Sequence, residues 1–328
     1  MDEDFVKLET FLSKYDKFVI STHESPDWDG LGGEIAMFEL LKKLGKKPLI
    51  VNSDPTPDNF LFLDIEHDIN VMNGSFILPG DIAEYAQFVL DTNDYNNIGA
   101  AAYNALKDRV REVFIIDHHE GDESKLGANI IKAGASSVSE IMFHIIEHFE
   151  TPITLRAAQA VFGGMVFDTG SFKYPKTTPE TFRIAAKLVE AGVTPFFIHE
   201  QIYEQNALSS FSLRGRILSS MEVLHGGRMI ALKLTPDMLK ETGATFTEGE
   251  PAINLPLTVK GVVASLLVKQ DFEGPVKVSM RTKGNIDVAQ LAMERGGGGH
   301  KNAAGYKSKL SFDETYRQAL KSMEKFFT

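Results

Sequence analysis

The residues able to bind metal or move protons fall in four short segments. They are Thr22-His23-Glu24-Ser25-Pro26-Asp27-Trp28-Asp29, the single Asp91, the triplet Asp117-His118-His119, and Val166-Phe167-Asp168-Thr169-Gly170. Each follows an apolar run, so each is expected where a sheet strand ends. One strand-terminal aspartate is an ordinary cap or turn former; it is the set that has chemical meaning. Gathering these carboxylates in one cleft costs like-charge repulsion unless cations offset it. The chain has no cysteine, which excludes thiolate metal sites, cysteine nucleophiles and disulfides. A thiol-free set of histidine and carboxylate suits Mn²⁺, Mg²⁺ or Zn²⁺, and more ligands than one ion needs point to two ions. Two such ions about 3.5–4 Å apart can activate water and stabilise both oxygens of a phosphoryl displacement. The expected chemistry is phosphoester hydrolysis.

The elements that must position these residues alternate between short apolar runs and helical patterns. The runs Phe18-Val19-Ile20, Pro48-Leu49-Ile50-Val51, Phe88-Val89-Leu90 and Val113-Phe114-Ile115-Ile116 imply a parallel sheet with helices on both faces. Ligands of such sheets bind outside the carboxyl ends of the strands, where these segments would converge. From about Ser137, apolar residues at Val138, Ile141, Met142, Ile145, Ile146 and Phe149 repeat with the helical period and predict a packing helix. A second helix is expected over Thr178 to Glu190, stopped by Gly192. Thr194-Pro195 opens a long, mixed helical stretch to about Leu224. The pattern resets after His225-Gly226-Gly227, with strands at Met229 to Leu234 and Val276 to Met280. The fold class is therefore α/β: an N-terminal parallel-sheet domain over 1–192, a helical linker over 193–224, and a smaller α/β domain over 225–328. The active site is expected in the cleft between the two domains.

The 328 residues favour two domains. A hydrophobic fraction of 43% with 24% charged residues is globular, and no apolar run approaches the ~18 residues of a membrane span. The start, Met1-Asp2-Glu3-Asp4, is acidic and unlike a secretory leader, so the expected location is the cytoplasm. A net charge of −11 argues against coating of long nucleic acid. Between Pro256 and Leu310, however, nine cations face four anions, leaving +5 there and −16 elsewhere. A local basic patch on an acidic body suits a small anionic ligand.

In these motifs the sequence resembles the DHH phosphoesterase family, whose C-terminal DHHA1 domain is marked by glycines and a histidine. His23, Asp27 and Asp29 meet its His-x-x-x-Asp-x-Asp pattern, Asp91 its lone aspartate, and Asp117, His118 and His119 its naming triplet. Asp168, Thr169 and Gly170 meet its Asp-Thr-Gly motif. Arg281 and the run Gly297-Gly298-Gly299-His300-Lys301-Asn302-Ala303-Ala304-Gly305 meet the second-domain motif. The resemblance implies a two-manganese centre, with magnesium as the substitute. In it His23, Asp27 and Asp91 hold one ion, and Asp29, Asp91, His118 and Asp168 the other. Asp91 bridges, His119 faces the scissile phosphate, and Asp117 orients its neighbours. Arg281, Gly297, Gly298, Gly299 and His300 would bind the substrate's other end, the glycines letting backbone N–H groups approach a phosphate.

Two binding poles at a fixed separation would act as a ruler for short RNA or DNA of about two to five nucleotides, or for a 3′,5′-bisphosphate nucleoside (pAp). Hydrolysis of cyclic di-AMP or of its linear product pApA is the closest rival, followed by an exopolyphosphatase-like or pyrophosphate hydrolase and a non-catalytic nucleotide sensor. No membrane partner is expected, and a homodimer is compatible with the reading. Two positions depart from the common pattern. Trp28 stands between the metal-site aspartates, where packing is the expected role over base stacking. Asn97 stands where many short-oligonucleotide hydrolases carry an arginine nearby, which bears on substrate choice. His144 and His148, four apart on a helix without an intervening catalytic glutamate, are expected in solvent. Ser171 and Ser136-Ser137 lack a nucleophile elbow.

Overall fold

A computed structural model describes residues 2–72, 76–120 and 128–327; the ends of the two expected domains, Met1 and Thr328, lie outside them. By contacts the chain divides into two compact units, Met1–Gln205 and Asn206–Thr328. Among the described residues no helix is long and apolar enough to cross a membrane.

The first unit runs α1 (Asp2–Lys14), β1 (Lys17–Ser21), α2 (Trp28–Lys43), β2 (Lys47–Asn52), β3 (Ile69–Val71), β4 (Ala86–Leu90), α3 (Ala100–Leu106), β5 (Val113–Asp117), β6 (Ala128–Ile131), α4 (Val138–His148), α5 (Leu155–Asp168), α6 (Pro179–Glu190) and α7 (Pro195–Tyr203). The six strands form a parallel sheet in the order β3-β2-β1-β4-β5-β6. Successive side chains point to opposite faces of a strand, and both faces are covered. Phe18, Ile20, Phe88, Leu90, Phe114 and Ile116 join the core made with α1, α2, α4 and α5. Val19, Val51, Val89 and Ile115 join a second core against α3. This is why the strands read as unbroken apolar runs. The strand order reverses between β1 and β4, so their carboxyl ends diverge into connections on opposite sides and leave a crevice there.

The helix starts follow their capping residues. Ser137 caps α4 by accepting from Glu140 N, and Thr178 caps α6 in a reciprocal box with Thr181. The stretch after Thr194 is not one long helix. It is α7, then α8 (Leu208–Ser219), then β7 (Glu222–Leu224). The break has a packing cause, because Ile198 of α7 is buried in the first unit's core whereas Leu213 and Ile217 of α8 are buried in a core of the second unit.

The second unit continues with β8 (Met229–Leu234), α9 (Pro236–Thr242), β9 (Ala264–Lys269), β10 (Val276–Thr282), α10 (Ala289–Met293), β11 (Gly298–His300), β12 (Ala303–Ser308) and α11 (Phe312–Glu324). Its sheet has the order β11-β12-β10-β9-β8-β7 and is antiparallel except for β8 and β9. Val276, Val278 and Met280 of β10 face the core under α10 and α11. The alternate residues Lys277, Ser279 and Arg281 stand on the other face, half-buried. The glycine run is partly strand rather than loop, since Gly298–His300 pairs with β12.

Candidate metal centre

His23 lies just past β1. Its Nε2 is 3.5 Å from Asp91 Oδ2 and 3.8 Å from Asp27 Oδ1. Asp27 is at once the cap of α2, its Oδ1 accepting from Asp29 N at 2.9 Å and Gly30 N at 3.2 Å. Asp91 follows β4 with φ of +61°, a left-handed conformation uncommon outside glycine, and its N–H donates to Ile116 O. The turn places its carboxylate between two histidines, His23 on Oδ2 and His118 Nε2 at 3.3 Å on Oδ1. Asp117 ends β5. Its Oδ1 accepts from His118 N and lies 2.8 Å from His119 Nδ1.

His118 Nε2 is also 3.4 Å from Asp168 Oδ2 and 3.7 Å from Asp29 Oδ2. Asp168 closes the helix α5, not a strand, which corrects the reading of its segment: the apolar run before it is the buried side of α5, which lies against α2. Asp29 is wholly buried, its two oxygens accepting from Val138 N and Ser139 N at the start of α4. Gly164 leaves that carboxylate its room. A Cβ there would stand 2.0 Å from Ser139 Oγ and 2.8 Å from Asp29 Oδ1.

Among the described residues three groups of candidate ligand atoms result: His23, Asp27 and Asp91; Asp29, His118 and Asp168; and Asp91, Asp117, His118 and His119. Asp91 and His118 are each shared between two of them. Without a cation the electrostatics are strained. Burial, reinforced by Asp91, lifts Asp29 well above the usual carboxylate range, and burial likewise raises Asp168. Burial acts to lower both histidines, the half-buried His23 and the buried His118, but their carboxylate neighbours prevail. His23 is raised to about 11 by Asp27 and Asp91, and His118 to about 9 by Asp91 and Asp29. The carboxylates thus draw positive charge onto the histidines. Among the described residues, buried Asp91 Oδ1, Asp117 Oδ2 and His118 Nε2 have no hydrogen-bond partner, so atoms with ligand chemistry are left unsatisfied, which fits a divalent cation held by nitrogen and oxygen.

His23, Asp27, Asp91, His119 and Asp168 open onto a cavity of about 480 Å³. Sequence reasoning missed Glu24, Asn93 and Glu120, which also line it; their only signal was adjacency to motif residues. It also missed Lys176, whose Nζ donates to His118 O at 3.1 Å and which carries no motif. Asn97 lines the cavity, its side chain donating to Thr92 Oγ1. Trp28 is 2% exposed and packs edge-on against Phe60, so it has no face for a base. His148 contacts Glu9 and stacks on Phe5, and His144 lies 3.8 Å from Glu147. Both are half-buried rather than free in solvent.

In the second unit, Arg281 and His300 stand opposite Ala303 on its two sides. The glycines serve strand packing as well as openness, since a Cβ on Gly297 would meet Gly305 O at 2.1 Å and one on Gly299 would meet Ala303 O at 2.4 Å. Gly298 has open space around it. Farther along the same face, Lys269, Lys277 and Lys307 form one cross-strand row.

Residues 17–165 match the DHH family, N-terminal domain, and residues 228–328 the DHHA1 domain. The chain is 28% identical over 314 residues to the bifunctional oligoribonuclease and PAP phosphatase NrnA of Thermus thermophilus, covering 94% of this chain and 90% of that one. It is 26% identical to the NrnA of Bacillus subtilis, covering 93% of each. It is 24% identical to the cyclic-di-AMP phosphodiesterase PdeA of Listeria monocytogenes, covering 98% of this chain and 49% of that one. An exopolyphosphatase-related protein from Bacteroides fragilis superposes with a TM-score of 0.88 at 25% identity, covering 100% of this chain and 97% of that one. With one domain model matched in each unit and full-length relatives across both, the chain belongs to the DHH family of phosphoesterases.

Proposed function

We propose that the chain hydrolyses short oligonucleotides of about two to five nucleotides, 3′,5′-bisphosphate nucleosides, or both, with two manganese ions and with magnesium as the substitute. The observation that carries this reading is the sharing of Asp91 and His118 among three ligand groups. Such sharing suits a pair of ions better than one. His23, Asp27 and Asp91 would hold one ion and Asp29, Asp91, His118 and Asp168 the other; when bound, the pair supplies Lewis-acid activation of water and charge neutralisation at the phosphate. Asp117 holds His119 through Nδ1, leaving Nε2 to meet a phosphate oxygen in the cavity. Arg281, His300 and the backbone at Gly297, Gly298 and Gly299 would bind the nucleotide end of the substrate.

A cyclic-di-AMP or pApA phosphodiesterase is the second reading, favoured by the likeness to PdeA. Turnover of dinucleotides, a 24-mer, 3′-phosphoadenosine 5′-phosphate, cyclic di-AMP, pApA and polyphosphate with Mn²⁺, run beside Asp91→Ala, tests both. Dinucleotides are expected to exceed the 24-mer, with all activity lost in Asp91→Ala. Equal rates on short and long chains overturn the length preference, and an active Asp91→Ala overturns the bridging ligand.

A further inference from the structure

The cavity of the first unit is walled partly by candidate ligands and partly by other residues. Glu24, Thr92, Asn93, Asn97 and Glu120 form this second wall, and none of them belongs to the ligand groups. Among the described residues, no lysine or arginine lines the cavity. Each side-chain amide of this wall already donates within the protein. Asn93 Nδ2 donates to Glu120 O at 3.2 Å, Asn97 Nδ2 to Thr92 Oγ1 at 3.1 Å, and Glu24 N to Asn97 O at 2.6 Å. What remains for a ligand is mostly acceptors: two amide oxygens and the carboxylates of Glu24 and Glu120, which accept only.

Charge gives the same answer independently. With Asp117 paired to His119, the other carboxylates of the ligand groups, Asp27, Asp29, Asp91 and Asp168, match the four positive charges of two divalent cations. Among the described residues, Glu24 and Glu120 then add two further carboxylates at the wall, and the nearby Lys176 is turned to His118 O. A phosphate offers acceptors and negative charge, and so fails against this wall on both counts. A sugar hydroxyl or a base amino group offers the donors it lacks.

We infer that this wall takes an uncharged nucleoside by its hydroxyl and amino donors and turns away a second phosphate. The inference rests on the phosphoester reading above and narrows it: the preferred substrate is a diester whose nucleoside on this side has a free hydroxyl end.

The experiment compares three matched substrates with Mn²⁺: a dinucleoside monophosphate, the same with a 5′-phosphate, and the same with a 3′-phosphate. Each is measured with the wild type and with the Glu24→Gln/Glu120→Gln double variant. Calorimetric titration of a nucleoside 5′-monophosphate and its 3′,5′-bisphosphate gives a readout independent of turnover. At one of the two ends a phosphate is expected to lower kcat/KM on the order of three- to tenfold, the size of like-charge repulsion at a partly solvated site. That deficit shrinks to within twofold in the double variant, and Asn97→Arg reverses it. A phosphate tolerated at both ends, or a deficit that survives removal of both carboxylates, overturns the inference. If no substrate is cleaved, the phosphoester reading fails, while the relative Kd of mono- and bisphosphate, with and without the two glutamates, still decides this one.

Discussion

Glu34 provides a test of the fold beneath the metal centre that does not depend on the metal. It sits on α2, 0% exposed, with Oε2 accepting from Asn52 Nδ2 at 2.9 Å and Oε1 without a partner. Burial dominates its environment and raises its carboxyl from 4.5 to about 8. Between those values the unfolded chain has released this proton while the folded one keeps it, so stability falls as pH rises through the window. The full cost is about 5 kcal/mol at 1.36 kcal/mol per unit, reached near pH 8. About 1 kcal/mol of it is present at pH 5.5 and about 3 at pH 7. Glu34→Gln removes the titration and keeps the shape. Its amide leaves an unpaired donor where Oε1 now stands, a loss of about 1–3 kcal/mol that does not change with pH. The readout is therefore the difference between pH values. Thermal unfolding in EDTA should show the variant gaining about 2 kcal/mol on the wild type between pH 5.5 and 7. For a unit of this size that is roughly 4–8 °C in Tm. Parallel pH profiles for the two proteins would refute the burial argument.

Two further substitutions probe the site from opposite sides. Gly164→Ala inserts a methyl within 3 Å of both Ser139 Oγ and Asp29 Oδ1; overpacking of this kind costs about 1–3 kcal/mol. A lowered Tm in EDTA and a weaker Mn²⁺ titration are expected together, and unchanged metal affinity would detach Asp29 from the ligand set. His119→Asn removes a half-exposed ring whose Nδ1 is held by Asp117, and should lower kcat by about a hundredfold with Mn²⁺ affinity retained. Lost metal affinity would make His119 a ligand instead.

The parts of this fold that could be read from the chain are those where one pattern has one physical meaning. The unbroken runs at Phe18, Phe88 and Val113 became central parallel strands because both of their faces are covered. Ser137 and Thr178 began helices because their hydroxyls satisfy open backbone N–H groups. Where long-range packing decides, the pattern was silent. Nothing local in Thr194 to Leu224 tells that Ile198 and Ile217 belong to different cores, so two helices and a strand read as one stretch. β12, Ala303–Ser308, has no β-branched residue and is held as a strand by its pairing with β10. At the site, residue type and order identified the carboxylates and histidines that lie together. Glu24, Asn93 and Lys176 escaped because their significance is a position in space, which no spacing encodes.

The candidate ligand carboxylates also hold the backbone, and this bears on how a cluster so unfavourable without cations persists. Asp27 caps α2, Asp29 accepts the first N–H groups of α4, and Asp117 accepts from His118 N. Each such bond to an ionised oxygen is among the stronger kind in proteins, and the two helix starts add favourable dipoles. These contacts offset part of the repulsion and desolvation of the cluster. They also fix where each carboxylate points. A carboxylate locked by two backbone donors has little freedom left to lose when a cation arrives, so affinity is not diminished by ordering the ligands. Asp91 differs, since among the described residues no hydrogen bond holds Oδ1 and its backbone is in a left-handed conformation. The carboxylate that lies near His23, His118 and His119 thus has a strained backbone and no cap to fix it, which makes its side chain dependent on the cations it would bridge.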